Sequence, residues 1–442
     1  MIDKKIFWLT LSSFSFGLVN TLQIAHLSPI LQFVGFKSDK IAYLWLIAPL
    51  TGLIFQPIIG YLSDNIQSRF GRRRPLFLLS TMMGFSGLTG LPFASKGYLL
   101  IALIIFLDIG CNGNAQLARI MILDLYKGKA RTKAFSWSSA LYGLGAMCGG
   151  ILPWLITHFV HSSNEVLFSK SPLYIQLTFL LGAFIYLLFS AITLIMVKEK
   201  PIIGKHFLKP SSKNFLLKKE SIFSLKKLSP LFWRLSLILF FAWVAIFAVW
   251  NYLNIHIAQT AFNMPIEFTD KLEISRNYLT NANILTAVYF GVLQLSSTGF
   301  AFAIPYLSEW VTIKNILGIG LLVGSVSLLL IALVSNQYII GIFMIFFGAS
   351  WAVLSICPYE LFAKIIPKGR NGFYMGVVNL PIVFPQIITG LILGVLYKSF
   401  FALQAYKIIF LASFSIFISA VFTLNVKSIF SKLSLLKVSF AK

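Results

Sequence analysis

"GYLSDNIQSRFGRRRP", Gly60 to Pro75, is a short polar island between two apolar runs. It sets a glycine, an aspartate and an arginine cluster at close spacing. Gly60 permits close helix approach, Asp64 stands where the preceding helix ends, and Arg69, Arg72, Arg73 and Arg74 follow within reach of it. A carboxylate facing arginines across such a loop can latch one conformation and release in another, which is the behaviour of a two-state element. The same arginines also serve as topology signals, and the two roles are compatible.

What surrounds the island decides the class of protein. Of 442 residues, 58% are hydrophobic and 11% are charged, against about 25% charged in an ordinary soluble domain. Apolar runs of about 20 residues, long enough to cross ~30 Å of hydrocarbon as helix, recur from end to end. Twelve spans are expected, near 6–34, 41–62, 75–94, 98–123, 135–160, 174–197, 234–256, 284–305, 313–334, 338–359, 372–397 and 404–425. The first has no small-residue cleavage site and reads as a retained helix, not a removed signal peptide. The expected fold class is all-α, a polytopic membrane protein of twelve transmembrane helices in two pseudo-symmetric six-helix bundles.

A net charge of +24 would point to nucleic acid in a soluble protein. Here its distribution gives another meaning. With the N-terminus inside, 28 of the 37 Lys and Arg lie in the inner loops and tail, eight lie outside, and Arg119 lies within a span. The positive-inside rule then places both termini in the cytoplasm, and no nucleic-acid partner is expected. Cys111, Cys148 and Cys357 sit in apolar segments without disulfide or metal-ligand patterning. They read as small packing residues, and no metal or cofactor is expected.

The one long polar stretch between spans gives the domain organisation. Residues 1–197 form an N-terminal bundle, 198–233 a basic linker expected to lie against anionic lipid, 234–425 a C-terminal bundle, and 426–442 a basic cytoplasmic tail. The halves echo each other. "ILDLYKGKARTKAF" (Ile122–Phe135) resembles "PYELFAKIIPKGRNGF" (Pro358–Phe373), with Asp124 and Glu360 as matching acidic anchors at helix ends. Internal symmetry of this kind suggests a transporter with its site between the halves near the midplane. Gly60, Asp64, the four arginines, Asp124 and Glu360 are the expected cytoplasmic gate.

The fourth span, "FLDIGCNGNAQLARIMILDL" (Phe106–Leu125), is unusually polar. At about 100° per residue, Asp108, Asn112, Ala115 and Arg119 share one face within roughly 60°. Asp124 lies about 140° away and belongs with the loop. Asp108 and Arg119 are eleven residues apart, about 16 Å along the axis, and so cannot pair directly. Ionisable residues inside membranes are costly and mark function by default. A carboxyl in a low-dielectric site can load and release a proton at physiological pH, so Asp108 is the expected proton site and a hydroxyl partner for a sugar. Arg119 is expected to stabilise the carboxylate or to meet substrate after a helix shift.

Further candidate substrate contacts are Asn20, Gln23 and His26 on the first span, Asn112 on the fourth and Trp137 on the fifth. Trp250, Asn251 and Asn254 on the seventh, and Asn379 and Gln386 on the eleventh, complete the set. Amides and charges suit sugar hydroxyls, and aromatic faces suit the C–H surface of the ring. Any one of them alone is more often an interhelical hydrogen bond; their convergence from several helices favours binding.

Four stretches carry a family resemblance. "LWLIAPLTGLIFQPIIGYLSDNIQSRFGRRRP" (Leu44–Pro75) resembles the cytoplasmic signature of the major facilitator superfamily, and specifically the sucrose-transporter-like branch of its glycoside–pentoside–hexuronide:cation symporters. "LQIAHLSPILQFVG" (Leu22–Gly35), "FLDIGCNGNAQLARIMILDL" and "MGVVNLPIVFPQIITGLILG" (Met375–Gly394) are similar to the first, fourth and eleventh helices of that group. The resemblance implies the major facilitator fold, and a role for Asp108 and Arg119 in sucrose–proton coupling. Two departures stand out. "VWNYLNIHIAQTAFN" (Val249–Asn263) lacks the acidic and basic residues of the plant sucrose carriers. "PYLSEWVTIKN" (Pro305–Asn315) is a degenerate copy of the Gly60–Pro75 loop with Glu309 and Lys314, so a weaker latch is expected there.

The expected function is secondary active transport by alternating access, a proton entering with a glucoside-type sugar such as sucrose or maltose. An exporter or antiporter of another small polar solute is an alternative, as is a transport-inactive receptor or scaffold. No nucleotide loop, metal spacing or nucleophile–base set supports an enzyme. A bacterial inner membrane location and a monomer are expected.

Overall fold

The structure is a computed structural model that describes residues 4–36, 44–66, 68–159, 171–199, 228–268, 272–367 and 369–425. Among these residues the regular structure is entirely helical. The N-terminal half comprises α1 (Lys4–Val34), α2 (Ile47–Asn65), α3 (Arg74–Gly90), α4 (Gly97–Leu125), α5 (Gly128–Phe159) and α6 (Leu173–Met196). The C-terminal half comprises α7 (Pro230–Thr260), α8 (Leu272–Trp310), α9 (Ile313–Leu333), α10 (Gln337–Ile365), α11 (Asn371–Val378), α12 (Leu380–Ser399) and α13 (Ala405–Asn425). The expected eleventh span is thus two pieces, α11 and α12, joined at Asn379, where Pro381 removes a backbone donor from the next turn. The central part of the expected linker and the whole tail from residue 426 lie outside the described residues.

Among the described residues, ten segments have the length and hydropathy to cross a membrane, α11 and α12 counting as one. The two remaining rods, α1 and α2, are less apolar because Ser, Thr, Asn, Gln and His interrupt their leucines and isoleucines. These are also rods that bring polar side chains to the centre. Local chemistry starts the helices: Ser229, Thr312 and Asn336 cap α7, α9 and α10 by accepting from the backbone N–H groups of Phe232, of Asn315, and of Tyr338 and Ile339.

Within the N-terminal half α1 packs on α5 and α6, and α3 packs on α4. The approaches are close at glycines. A β-carbon on Gly145 would collide with the Phe14 carbonyl, and one on Gly110 would meet the backbone of Gly84. Small residues at such seams let backbones approach where lipid supplies no hydrophobic drive. In the C-terminal half α13 packs against α7 and α9, and α10 against α8 and α9. The two halves meet along two seams, α2 against α11 and α12, and α5 against α8 and α10.

Candidate functional site

The polar residues of α1 and α4 come together in the N-terminal half. Gln23 donates through Nε2 to Oδ1 of Asp108 at 2.8 Å, and both side chains are buried. Oδ2 of Asp108 has no hydrogen-bond partner among the described residues. One turn away, Asn20 donates to the Tyr142 hydroxyl of α5 at 2.7 Å. Asn112 is half-buried on the same stripe of α4. Asp108, Gln23, Asn20 and Tyr142 therefore make one wall of carboxylate, amide and phenol groups.

His26 is not brought to that wall. Its ring lies buried between Tyr174 and Phe179 of α6. Trp137 lies on the α5–α8 seam, edge-on to Phe302 at 4.9 Å. Asn251 donates to the Phe247 carbonyl of its own helix, and with Tyr252, Thr389 and Tyr397 it lines a crevice of about 340 Å³ between α7 and α12. Asn254 pairs with Asn283 of α8 at 3.1 Å. Gln386 is half-buried on α12, one face of a helix that begins beyond Asn379.

Asn379 belongs to a different cluster, at the α2–α11 seam. It and Gln56 flank Gly52, and Gln116 of α4 donates to the Gln56 carbonyl at 2.8 Å. Asn379 Nδ2, Gln56 Oε1 and Gln116 Oε1 are buried without partners among the described residues. Gln56 and Gln116 were not singled out from the sequence, where an isolated glutamine in a span carries little signal.

Arg119 sits about 16 Å along α4 from Asp108. It makes no ion pair with a carboxylate among the described residues; its guanidinium lies 5.0 Å over the ring of Tyr359 on α10, across the boundary between halves. Tyr359 in turn stacks on Phe135 of α5 at 5.8 Å.

Below Arg119 the halves are latched. Arg73 is 1% exposed and carries the N-terminal cluster: it pairs with Asp64 at 2.7 Å and Asp124 at 2.9 Å, and donates to Ser63 at 2.6 Å. Arg72 adds a longer pair to Asp124 at 3.8 Å. Asp64 also accepts from the backbone N–H groups of Gly372 and Phe373, at 3.0 and 2.7 Å. Those N–H groups belong to the first turn of α11, where free donors and the helix dipole favour an anion. Gly60 is required at this crossing, because a β-carbon there would strike the Gly372 carbonyl. The other two arginines of the expected gate have different partners. Arg74 donates to the carbonyls of Phe70 and Leu194, and Arg69 is exposed with its guanidinium over Phe70.

The acidic anchors engage crosswise. Asp124 at the end of α4 accepts from Asn371 of the other half at 2.7 Å. Glu360 at the end of α10 takes a two-pronged pair from Arg131 of the other half, at 2.7 and 2.9 Å, with Lys364 at 3.8 Å. Arg131 follows Asp124 in the repeat that the sequence already showed, yet its partner lies 229 residues away. The degenerate loop behaves unlike its counterpart. Glu309 pairs with Lys129 of the N-terminal half at 3.0 Å on the exposed surface, while Lys314 donates to the Leu424 carbonyl.

The C-terminal half has an aromatic group of its own. Trp243 and Trp250 of α7 and Trp351 of α10 pack mutually, with ring centroids 5.7 to 5.9 Å apart. Of these, only Trp250 was singled out from the sequence; the other two are signalled only by contact.

Comparison with known proteins agrees with this architecture. The chain is 28% identical over 170 residues to the general alpha-glucoside permease of Schizosaccharomyces pombe, a match covering 35% of this chain and 31% of that protein. It is 24% identical over 431 residues to sucrose transport protein SUT2 of Oryza sativa subsp. indica, covering 84% of this chain and 82% of that one. The match to sucrose transport protein SUC3 of Arabidopsis thaliana is 31% identical over 153 residues, 30% of this chain and 25% of that one. These relatives agree with the sucrose-transporter-like branch indicated by the four sequence motifs. Among solved structures, the proton:xylose symporter XylE superposes with a TM-score of 0.66 at 16% identity, covering 96% of each chain. The transporter FucP in its outward conformation gives 0.67 at 15% identity, covering 96% of this chain and 99% of that one. At such identities the likeness concerns the fold. The family model of the Major Facilitator Superfamily matches residues 9–383. An all-helical membrane chain in two six-rod halves, latched across one face and matched over most of its length, belongs to the Major Facilitator Superfamily, a family of transporters and not of enzymes.

Proposed function

We propose that this transporter is a symporter that carries a glucoside-type sugar together with a proton by alternating access. One observation carries the reading: among the described residues Asp108 is buried against an amide and no cation, with one carboxylate oxygen unpartnered, at a depth well separated from the arginine on the same helix face. A carboxyl so placed is free to exchange its proton and to accept from a sugar hydroxyl without first breaking an ion pair. The named sugars of the relatives, sucrose and α-glucosides, support the substrate class.

The excess of Lys and Arg on one side supports cytoplasmic termini, and the location proposed is a bacterial inner membrane. In that orientation the latched face is the cytoplasmic one, and the state is closed to the inside. The division at 198–233, with a linker against anionic lipid, and a monomeric carrier complete the proposal. A proton entering with the sugar would draw on about 2.3 kcal/mol per 100 mV of membrane potential.

The test is sugar flux in proteoliposomes under an imposed pH gradient. Sucrose- or maltose-dependent alkalinisation outside supports the symporter. Flux that follows sodium reassigns the ion, flux in the opposite direction favours an exporter or antiporter, and absence of flux favours a receptor.

A further inference from the structure

The seam of α2 against α11 and α12 holds the two halves together by a ladder of contacts that climbs from the latched face. Gly60 meets Gly372, Gln56 and Pro57 meet Gly376, and Gly52 meets Asn379 and Val383. The rungs are four residues apart on α2, hence on one face and about 6 Å apart. At the first two rungs the backbones touch. A β-carbon on Gly60 would strike the Gly372 carbonyl, and one on Gly376 would strike Pro57 and the Gln56 carbonyl. The first rung is also clamped electrostatically, because Asp64 accepts from the N–H groups of Gly372 and Phe373.

Above that clamp the seam buries amides that it does not satisfy. Gln56, Gln116 and Asn379 are 6%, 2% and 7% exposed. Among the described residues, Oε1 of Gln56, Oε1 of Gln116 and Nδ2 of Asn379 are buried with no hydrogen-bond partner. Gln116 cannot exchange the two ends of its amide without giving up its 2.8 Å bond to the Gln56 carbonyl. A buried polar atom left unpartnered costs its full desolvation, whereas a made hydrogen bond gains little net. At a contact that breaks and reforms, that cost falls only on the closed state. Once α2 and α11 part, the same amides reach water.

The ion pairs of the latch and the unsatisfied amides of the ladder thus bias one seam in opposite senses. Alternating access needs both states within reach, and an unopposed latch would hold the carrier in one of them. We infer that Gln56, Gln116 and Asn379 act as a counterweight to the ionic latch: their dehydration on closure weakens its hold and speeds reopening of the latched face. The inference requires alternating access but no particular solute or coupling ion, so it goes beyond the sugar–proton reading.

The experiment uses the full chain in proteoliposomes, with spin-label distances across the latched face to report closure and sucrose uptake to report turnover. Gln56→Met keeps the length of the side chain and removes its hydrogen-bonding atoms. It is expected to lower the open population about tenfold, to raise the melting temperature, and to lower Vmax with little change in KM. Asn379→Leu is expected to shift the population in the same direction. Gln56→Glu at alkaline pH, whose carboxylate is costlier to bury than an amide, is expected to shift it the opposite way. A role in packing alone predicts lower melting temperatures in all three variants and no such reversal. Unchanged distances in both apolar variants, or a shift toward the open state, overturn the counterweight, as does Gln56→Glu moving with Gln56→Met. Absence of sucrose uptake in wild type counts against the sugar reading, while the distance distributions still decide the counterweight.

Discussion

The guanidinium of Arg119 on α4 lies 5.0 Å over the ring of Tyr359 on α10, so the half-buried cation of one half rests on an aromatic face of the other. The contact lies between two functional levels. Asp108 is about 16 Å beyond it along α4, and Glu360, one residue past Tyr359, holds Arg131 of the opposite half. Opening the latched face must separate Arg119 from Tyr359, which leaves the guanidinium free for solute or for the cavity. In the proposed cycle this contact would couple the state of the latch to the helix carrying Asp108.

Removing the ring should weaken closure. A cation–π contact is worth ~0.5–1 kcal/mol when exposed and ~2 when desolvated. Tyr359→Leu is therefore expected to shift the population toward the state open on this face by roughly two- to thirty-fold, while Tyr359→Phe, which keeps a ring, shifts it far less. Spin-label distances between Ala130→Cys, in the first turn of α5, and Pro367→Cys, between α10 and α11, read the shift directly. Identical distance distributions in the leucine variant and wild type would remove Tyr359 from the gate.

Arg73 is the member of the arginine cluster whose loss should matter most. It is almost wholly buried and serves Asp64, Asp124 and Ser63 at once. Arg73→Ala takes the guanidinium from the buried Asp64, while the more exposed Asp124 keeps Arg72; a broken buried pair is an effect of ~3–5 kcal/mol. Arg73→Lys is expected to recover little, because an ammonium cannot reproduce the guanidinium fork. Arg69→Ala, at an exposed residue, should be close to neutral. Thermal melting in detergent ranks the three, and an Arg69 effect as large as that of Arg73 would contradict this account.

Gly60→Ala tests the seam with the smallest possible change. Its β-carbon would fall against the Gly372 carbonyl, a backbone atom that cannot swing aside. The variant is expected to fold, to lose closure of the latched face in the same spin-label measurement, and to lose most net uptake. Normal uptake would mean that α2 and α11 can separate here without cost to the cycle.

Asp108→Asn separates coupling from binding. Asparagine keeps a hydrogen-bonding group toward Gln23 and solute but cannot carry a proton. Accumulation of sugar against its gradient should disappear, while sugar–sugar counterflow persists at reduced affinity. Retained accumulation driven by a pH gradient would move the proton site elsewhere.

Much of the fold is legible in the chain because membrane insertion is itself a sequence-level rule. Every backbone polar group must be satisfied within its span, so apolar length alone marks most of the rods, and the basic loops suggest their orientation. The break at Asn379 is also local, since Pro381 and Pro385 announce a disturbed helix. Helical periodicity puts Asp108 and Arg119 on one stripe and bars them from pairing by distance alone.

Partners across the molecule were not legible, because they depend on which faces meet. Nothing local distinguishes Arg73 from Arg69 or Arg74; the crossing of α2 with α11 buries one and leaves another in the open. Periodicity alone puts His26 near Gln23, whereas the packing of α1 on α6 turns its ring toward Tyr174 and Phe179. The sequence by itself determined the rods, the loops with their charge, and the existence of an aspartate and an arginine too far apart to neutralise each other. Only the tertiary structure decided that Asp108 meets Gln23, that Arg119 meets Tyr359, and that three tryptophans from α7 and α10 pack together. Spacing along one helix is fixed by the chain, and contact between helices is fixed by packing.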